Sequence, residues 1–154
     1  LLVVVAILGI LAAVGIVSFG GFMGSAKENV TKDNHKKMVN FMQTTLLKCS
    51  IDPSTKLNFV DAYGNPESPK SCIAPDGELS LIETRFETHF VGTFTNPYGP
   101  ATSTASSSVV VGGRECPKEL GQSALEWVPE NSTIELRTRY KKGEDCLVAR
   151  VVVE

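Results

Sequence analysis

The residues able to do chemistry are few: two histidines, His35 and His89; four cysteines, Cys49, Cys72, Cys116 and Cys146; and an oxygen-rich group, Asp61, Asn65 and Glu67. Neither histidine stands beside a nucleophile motif, since His35 lies among lysines and His89 precedes Phe90. Acid–base or covalent catalysis needs a nucleophile within reach of a base, so the chain reads as a non-enzyme. No Gly-rich loop follows a strand to cradle phosphate, because the early glycines lie inside an apolar run. Asp61, Asn65 and Glu67 offer hard oxygen ligands of the kind calcium takes, but at a spacing that fits no dedicated loop, so solvated side chains are the expectation and no metal or cofactor is assigned.

The cysteines are widely separated and contain no C-x-x-C pair to start a zinc site, which leaves disulfides as the chemistry they fit. An even count suits an oxidising compartment. Of three connectivities, Cys49 with Cys72 and Cys116 with Cys146 is the expected one, because each bond closes a short local loop. Asn29-Val30-Thr31 and Asn131-Ser132-Thr133 match the glycosylation sequon, a pattern of low specificity; the Ser/Thr-rich run Ala101 to Ser108 reads as a flexible loop, of which Ser103 to Ser108 are able to carry sugars.

The elements that position these residues follow from one switch in composition. Residues 1–26 carry no charged side chain, and polarity begins at Lys27 with no Pro until Pro53. One helix is expected from Leu1 to about Leu47. At 1.5 Å per residue its apolar half is a rod of roughly 39 Å, enough to cross a hydrocarbon core of about 30 Å. A secretory signal has a shorter apolar region and a basic start; this segment has neither, so the chain reads as a processed product or a piece begun part-way. In residues 27–48 a stripe of Val30, Met38, Met42 and Leu46, with Phe41 alongside, requires a globular partner, which residues 49–154 supply.

Charge divides the same way. Five Lys against Glu28 and Asp33 make residues 1–48 net +3, and ten Lys or Arg against fifteen acids make the rest −5. Such a head has no bulk attraction for nucleic acid, whereas Lys27, Lys32, Lys36 and Lys37 suit a lipid headgroup surface. The positive-inside rule taken alone would put those lysines in the cytoplasm, against the compartment the cysteines require.

Residues 50–77, rich in Pro and Gly, read as a long surface loop tethered at its ends. Ile82, Phe86 and Phe90 recur at steps of four, which suits either a helical face or one side of a strand; Ser80 with Glu83 suggests a capping box and favours a short helix across Leu79 to Val91. Asn96-Pro97-Tyr98-Gly99-Pro100 marks a turn. Strands are expected at Ser107–Val111, Thr133–Tyr140 and Cys146–Val153, the last two forming a hairpin through Gly143. The fold class is therefore α+β, a long N-terminal α-helix packed on an antiparallel β-sheet.

Leu1 to Ile16, Leu-Leu-Val-Val-Val-Ala-Ile-Leu-Gly-Ile-Leu-Ala-Ala-Val-Gly-Ile, resembles the N-terminal helix of type IV pilins and their pseudopilin relatives. The resemblance is dense over those residues and coarser over the rest, with the stretches around His89-Phe90 and Asn96-Pro97-Tyr98 also similar to some bacterial pilins. It implies a subunit that waits in the inner membrane, is processed by a prepilin peptidase, and is drawn by an assembly machinery into an extracellular helical homopolymer serving adhesion, motility or DNA uptake. Related pseudopilins bind calcium in the sheet region. Two departures stand out: the leading aromatic residue and the registration glutamate that family members carry before the position of Leu1 are missing, and the usual helix-breaking proline falls at Val17.

The residues expected to make filament contacts are Leu1, Leu2, Val5, Ile7, Leu8, Gly9, Leu11, Ala12, Gly15, Ile16, Phe19 and Phe22. Small residues such as Gly9, Ala12 and Gly15 let helices approach closely in apolar surroundings. Gly20, Gly21 and Gly24 are open to two readings, close packing or a local bend. The alternatives in function are a pseudopilin of a type II secretion system and a single-span anchored domain that binds a soluble ligand outside the membrane.

Overall fold

A computed structural model describes residues 1–72, 80–99 and 109–153, with the side chains of residues 16–18, 80 and 81 outside the description. The first element, α1, runs from Leu2 to Ile51 as one uninterrupted helix of 50 residues, about 75 Å long at 1.5 Å per residue. It therefore continues through Gly20, Gly21 and Gly24 without a break, and extends four residues past the expected end. Asp52 stops it: the residue before Pro53 is pushed out of the helical region and adopts φ −140°, ψ 97°, while its carboxylate accepts from Ser54 N and Oγ at 2.9 and 2.6 Å.

After α1 the chain makes a two-residue hairpin, β1 (Lys56–Leu57) against β2 (Lys70–Ser71). The second helix, α2 (Ser80–Thr93), takes up the expected segment from Ser80 on and runs two residues beyond Val91, while Leu79 lies outside the described residues. A four-stranded sheet follows: β3 (Val110–Gly112), β4 (Ser123–Val128), β5 (Thr133–Thr138) and β6 (Leu147–Val152), in the spatial order β3-β4-β5-β6. Strands β4, β5 and β6 are mutually antiparallel, but β3 runs parallel to β4, so the sheet is mixed and the expectation of a purely antiparallel one is corrected. Of the expected strand Ser107–Val111, residues 107 and 108 lie outside the described residues. The other two expected strands each stop at least one residue short of the reach expected of them.

Both helices contact the sheet, α1 over β5 and β6 and α2 over β3 and β4. The core between them is made by Met38, Met42 and Leu46 from α1, Phe86 and Phe90 from α2, and Leu125, Ile134, Leu136 and Val151 from the strands. Each fully buried Phe or Leu contributes about 1.5–3 kcal/mol, and the ring pairs Phe41–Phe90 and Phe86–Phe90, with centroids 5.8 and 6.0 Å apart, add to it. The overall class is α+β, a long apolar N-terminal helix carrying a small sheet domain.

Candidate functional site

The feature that sets this molecule apart is the first half of α1. An 18-residue window of it is long and apolar enough to cross a membrane, and none of that window is buried against the rest of the chain. Leu1, Leu2, Val5, Ile7, Leu8, Leu11, Phe19 and Phe22 are all more than half exposed, and Ala12 is exposed as well. A Cβ built on Gly9 or Gly15 meets nothing within 4 Å, so both positions present bare backbone. The Ile16 side chain lies outside the described residues. The twelve positions singled out from the sequence thus share one free-standing rod, and the single chain supplies no contact that covers those whose side chains are described.

The rod continues into the second half of α1, which packs on the head. Val30 was expected on the buried stripe, yet it is 46 % exposed, and Thr31 faces inward at 1 %. The helix can turn a polar residue to the sheet because Thr31 Oγ1 donates back to Lys27 O at 2.9 Å. One turn on, His35 is also buried, with Nδ1 2.8 Å from Thr138 Oγ1, which lies 2.7 Å from Ser123 Oγ. This three-member chain ties α1 to β5 and β4, and burial pushes the imidazole below its usual range.

Two of the four lysines beside the rod contact the head. Lys27 sits 5.5 Å from the Tyr98 ring centroid and Lys32 4.6 Å from that of Tyr140, while Lys32 and Lys37 pair with Glu28 and Asp33 at 2.6 and 2.7 Å. Lys36 is exposed. A headgroup surface would therefore meet fewer free ammonium groups than the sequence suggests.

No family model, curated protein or solved structure matches the chain.

The remaining sequence candidates have structural partners. His89 stacks on Phe41 with centroids 4.3 Å apart and its Nδ1 accepts from Val60 N at 3.1 Å, which holds the loop of residues 58–66 against α2; burial lowers its basicity too. Asp61 accepts from Tyr63 N and Asn65 N, both at 2.9 Å, and from the Asn65 amide. Those contacts hold the carboxyl below its ordinary range, the Asn65 side-chain bond foremost, and Glu67 pairs with Lys70 at 3.4 Å. Among the described residues no three His, Cys, Asp or Glu side chains converge as metal ligands. The cysteines form two bonds, Cys49–Cys72 and Cys116–Cys146, the pairing that short loops favour. The first fastens the end of α1 to the β2 hairpin strand.

Asn96, in the turn found from sequence, is buried. Its Nδ2 donates to Leu120 O at 3.1 Å and its Oδ1 accepts from Tyr98 N at 2.9 Å. Gly121, at φ +81°, lies so close that a Cβ there would strike Asn96 Oδ1. The turn thereby places Tyr98 under Lys27.

Sequence reasoning passed over an ion lattice on the outer sheet face. Glu135 is paired with Arg137 and Arg150, and Glu126 with Arg114 and Arg137. The Arg150 bond, ahead of the other charges, holds the nearly buried Glu135 carboxyl below its ordinary range. Alternation of charged residues in Thr133–Thr138 was the available signal, but it reads equally well as a solvated face.

Proposed function

We propose that this chain is a structural, non-catalytic subunit of an extracellular filament of the type IV pilin kind, held in the inner membrane before assembly and joined to copies of itself through α1. The observation that carries the reading is the rod, about 39 Å of uncharged helix with no cover from its own head. Each Leu or Val left in water forgoes about 1.5–3 kcal/mol, so lipid or neighbouring rods must cover it. A helix satisfies its own backbone and is at home in either medium. Copies stacked by a rotation that does not close give a fibre.

Supporting this are the resemblance of residues 1–16, the bare backbone at Gly9 and Gly15, and the pair of disulfides suited to a compartment outside the cytoplasm. The two histidines support a mechanical role, each being spent on packing and hydrogen bonds.

Shearing producing cells, imaging the released material by electron microscopy and identifying its polypeptides by mass spectrometry tests the proposal. Thin fibres composed mainly of this chain are expected. A chain that stays in the membrane fraction of cells carrying a complete assembly machinery would instead be an anchored domain, and would overturn it.

A further inference from the structure

The outer edge of β6 carries an observation independent of the rod. Val153 N donates to Ser132 O, which fixes the alternation of the β5–β6 ladder: Val151, Ala149 and Leu147 bond toward β5. The N–H and C=O groups of Val148, Arg150 and Val152 therefore point away from the sheet, and among the described residues no strand pairs with them. Val148 and Val152 are also 50 % and 57 % exposed.

Natural sheets protect such edges with charged side chains, proline, bulges, very short strands or cover by a helix or loop. Over Leu147–Val152 this edge has no proline, lysine or bulge, and its single charge, Arg150, is 65 % exposed and held across the outer face by Glu135. Alongside runs a groove of roughly 300 Å³, lined by Gln43, Leu46, Leu47 and Ser50 of α1 against Val151 and Val152. An added strand would place alternate side chains in that groove and the others over the outer face. There three guanidinium groups, Arg114, Arg137 and Arg150, face two carboxylates, Glu126 and Glu135.

From this geometry we infer that β6 is a docking edge for an extended segment of a different polypeptide, with apolar side chains at alternate positions and a carboxylate opposite Arg150. Main-chain bonds supply the attachment and the groove supplies the selectivity. Antiparallel docking of a second copy does not suit subunits held in one membrane. Antiparallel pairing of β6 with its own copy requires a two-fold axis through the sheet, which turns one α1 end for end and forbids both rods from entering the same membrane in the same sense. Continuing the sheet through a copy's β3 sets the rods about 19 Å apart at about 4.8 Å per strand, whereas packed helices lie about 8–10 Å apart.

The test uses the full chain in detergent micelles and a fluorescein-labelled peptide, Val-Thr-Val-Glu-Val-Thr, read by fluorescence anisotropy. Saturable binding is expected, at least about tenfold weaker for the same peptide N-methylated at every amide and several-fold weaker with Lys in place of Glu. Val152→Pro removes one outward N–H without touching the β5 ladder and should weaken binding about tenfold, with Val152→Thr binding as the parent does. Slowed amide exchange at Val148, Arg150 and Val152 in the complex is the matching residue-level sign. Absence of saturable binding, or binding indifferent to N-methylation, overturns the inference regardless of how the proline variant folds. So does concentration-dependent self-association, without peptide, that Val152→Pro abolishes, since the edge then serves a second copy.

Discussion

Replacing Cys49 and Cys72 together by serine is the perturbation whose size follows most directly from the structure. The bond spans 23 residues, and the loop-closure entropy released to the unfolded chain amounts to about 3.4 kcal/mol at 25 °C. Both cysteines also pack against the core, so lost contact adds to that figure rather than offsetting it. For a head of roughly 100 residues, where 1 kcal/mol moves the midpoint by about 4–8 °C, the melting temperature should fall by about 14–27 °C. Trp127, partly buried against the core on β4, reports head unfolding by fluorescence while the micelle holds the rod helical. Opening Cys116–Cys146, which spans 30 residues, should cost about 3.7 kcal/mol by the same relation. A double serine variant within about 1 kcal/mol of the parent in urea titration would refute the claim that this bond constrains the unfolded chain.

Three other outcomes are expected. Gly9→Leu and Gly15→Leu should block fibre formation yet leave the head's urea midpoint unchanged, because nothing of the head lies within 4 Å of either position; normal fibre yield counts against close rod packing. Gly92→Ala should destabilise by up to about 2 kcal/mol, because its Cβ would strike Asp61 O and the overpacking cost of about 1–3 kcal/mol is offset only by a helix-propensity gain of about 1 kcal/mol; a higher midpoint would show that the Asp61–Gly64 turn yields freely. Stability should fall with acid in two windows. His35 and His89, held neutral by burial, cost stability as pH drops below about 6.5, where the unfolded chain takes up protons they resist. Glu135, held ionised by Arg150, loses its contribution as pH falls below about 4.3 and through its lower folded value. Glu135→Gln should flatten the lower window in urea titrations between pH 5 and 3, and an unaltered slope would deny the ion lattice its role.

The rod was legible because nothing but an apolar medium tolerates 26 uncharged residues in a row; α2 was legible only in part, since Ile82, Phe86 and Phe90 at steps of four suit a helix or a strand and only Ser80 with Glu83 favours the helix. The β5–β6 hairpin was legible from the alternation in β5 and from Gly143, which takes φ +77° at the turn. Strand β4 was missed since Ser123, Ala124 and Leu125 are buried in succession; a central strand covered on both faces loses the alternation that betrays an edge. Parallel β3 could not be foreseen, as its partner lies beyond the connection 113–122 and nothing local sets its direction.

The seat of α1 was misjudged for a related reason. Hydropathy assigns threonine and histidine to water, which puts Val30 on the stripe and His35 among the lysines. The fold satisfies both polar groups internally, Thr31 through Lys27 O and His35 through Thr138, and the helix phase then follows Met38 and Met42. The outward edge of β6 left no trace in composition, because it depends on which amides the β5 ladder uses.

The distance between neighbouring α1 axes in a fibre, from a density map at side-chain resolution, decides whether α1 forms the fibre core. Rods over Leu2 to Phe22 are expected to pack at about 8–10 Å, with Gly9 and Gly15 at the closest approaches and the heads outside. Fibres of this chain held together by head contacts alone, with those rods exposed to solvent, would contradict this packing.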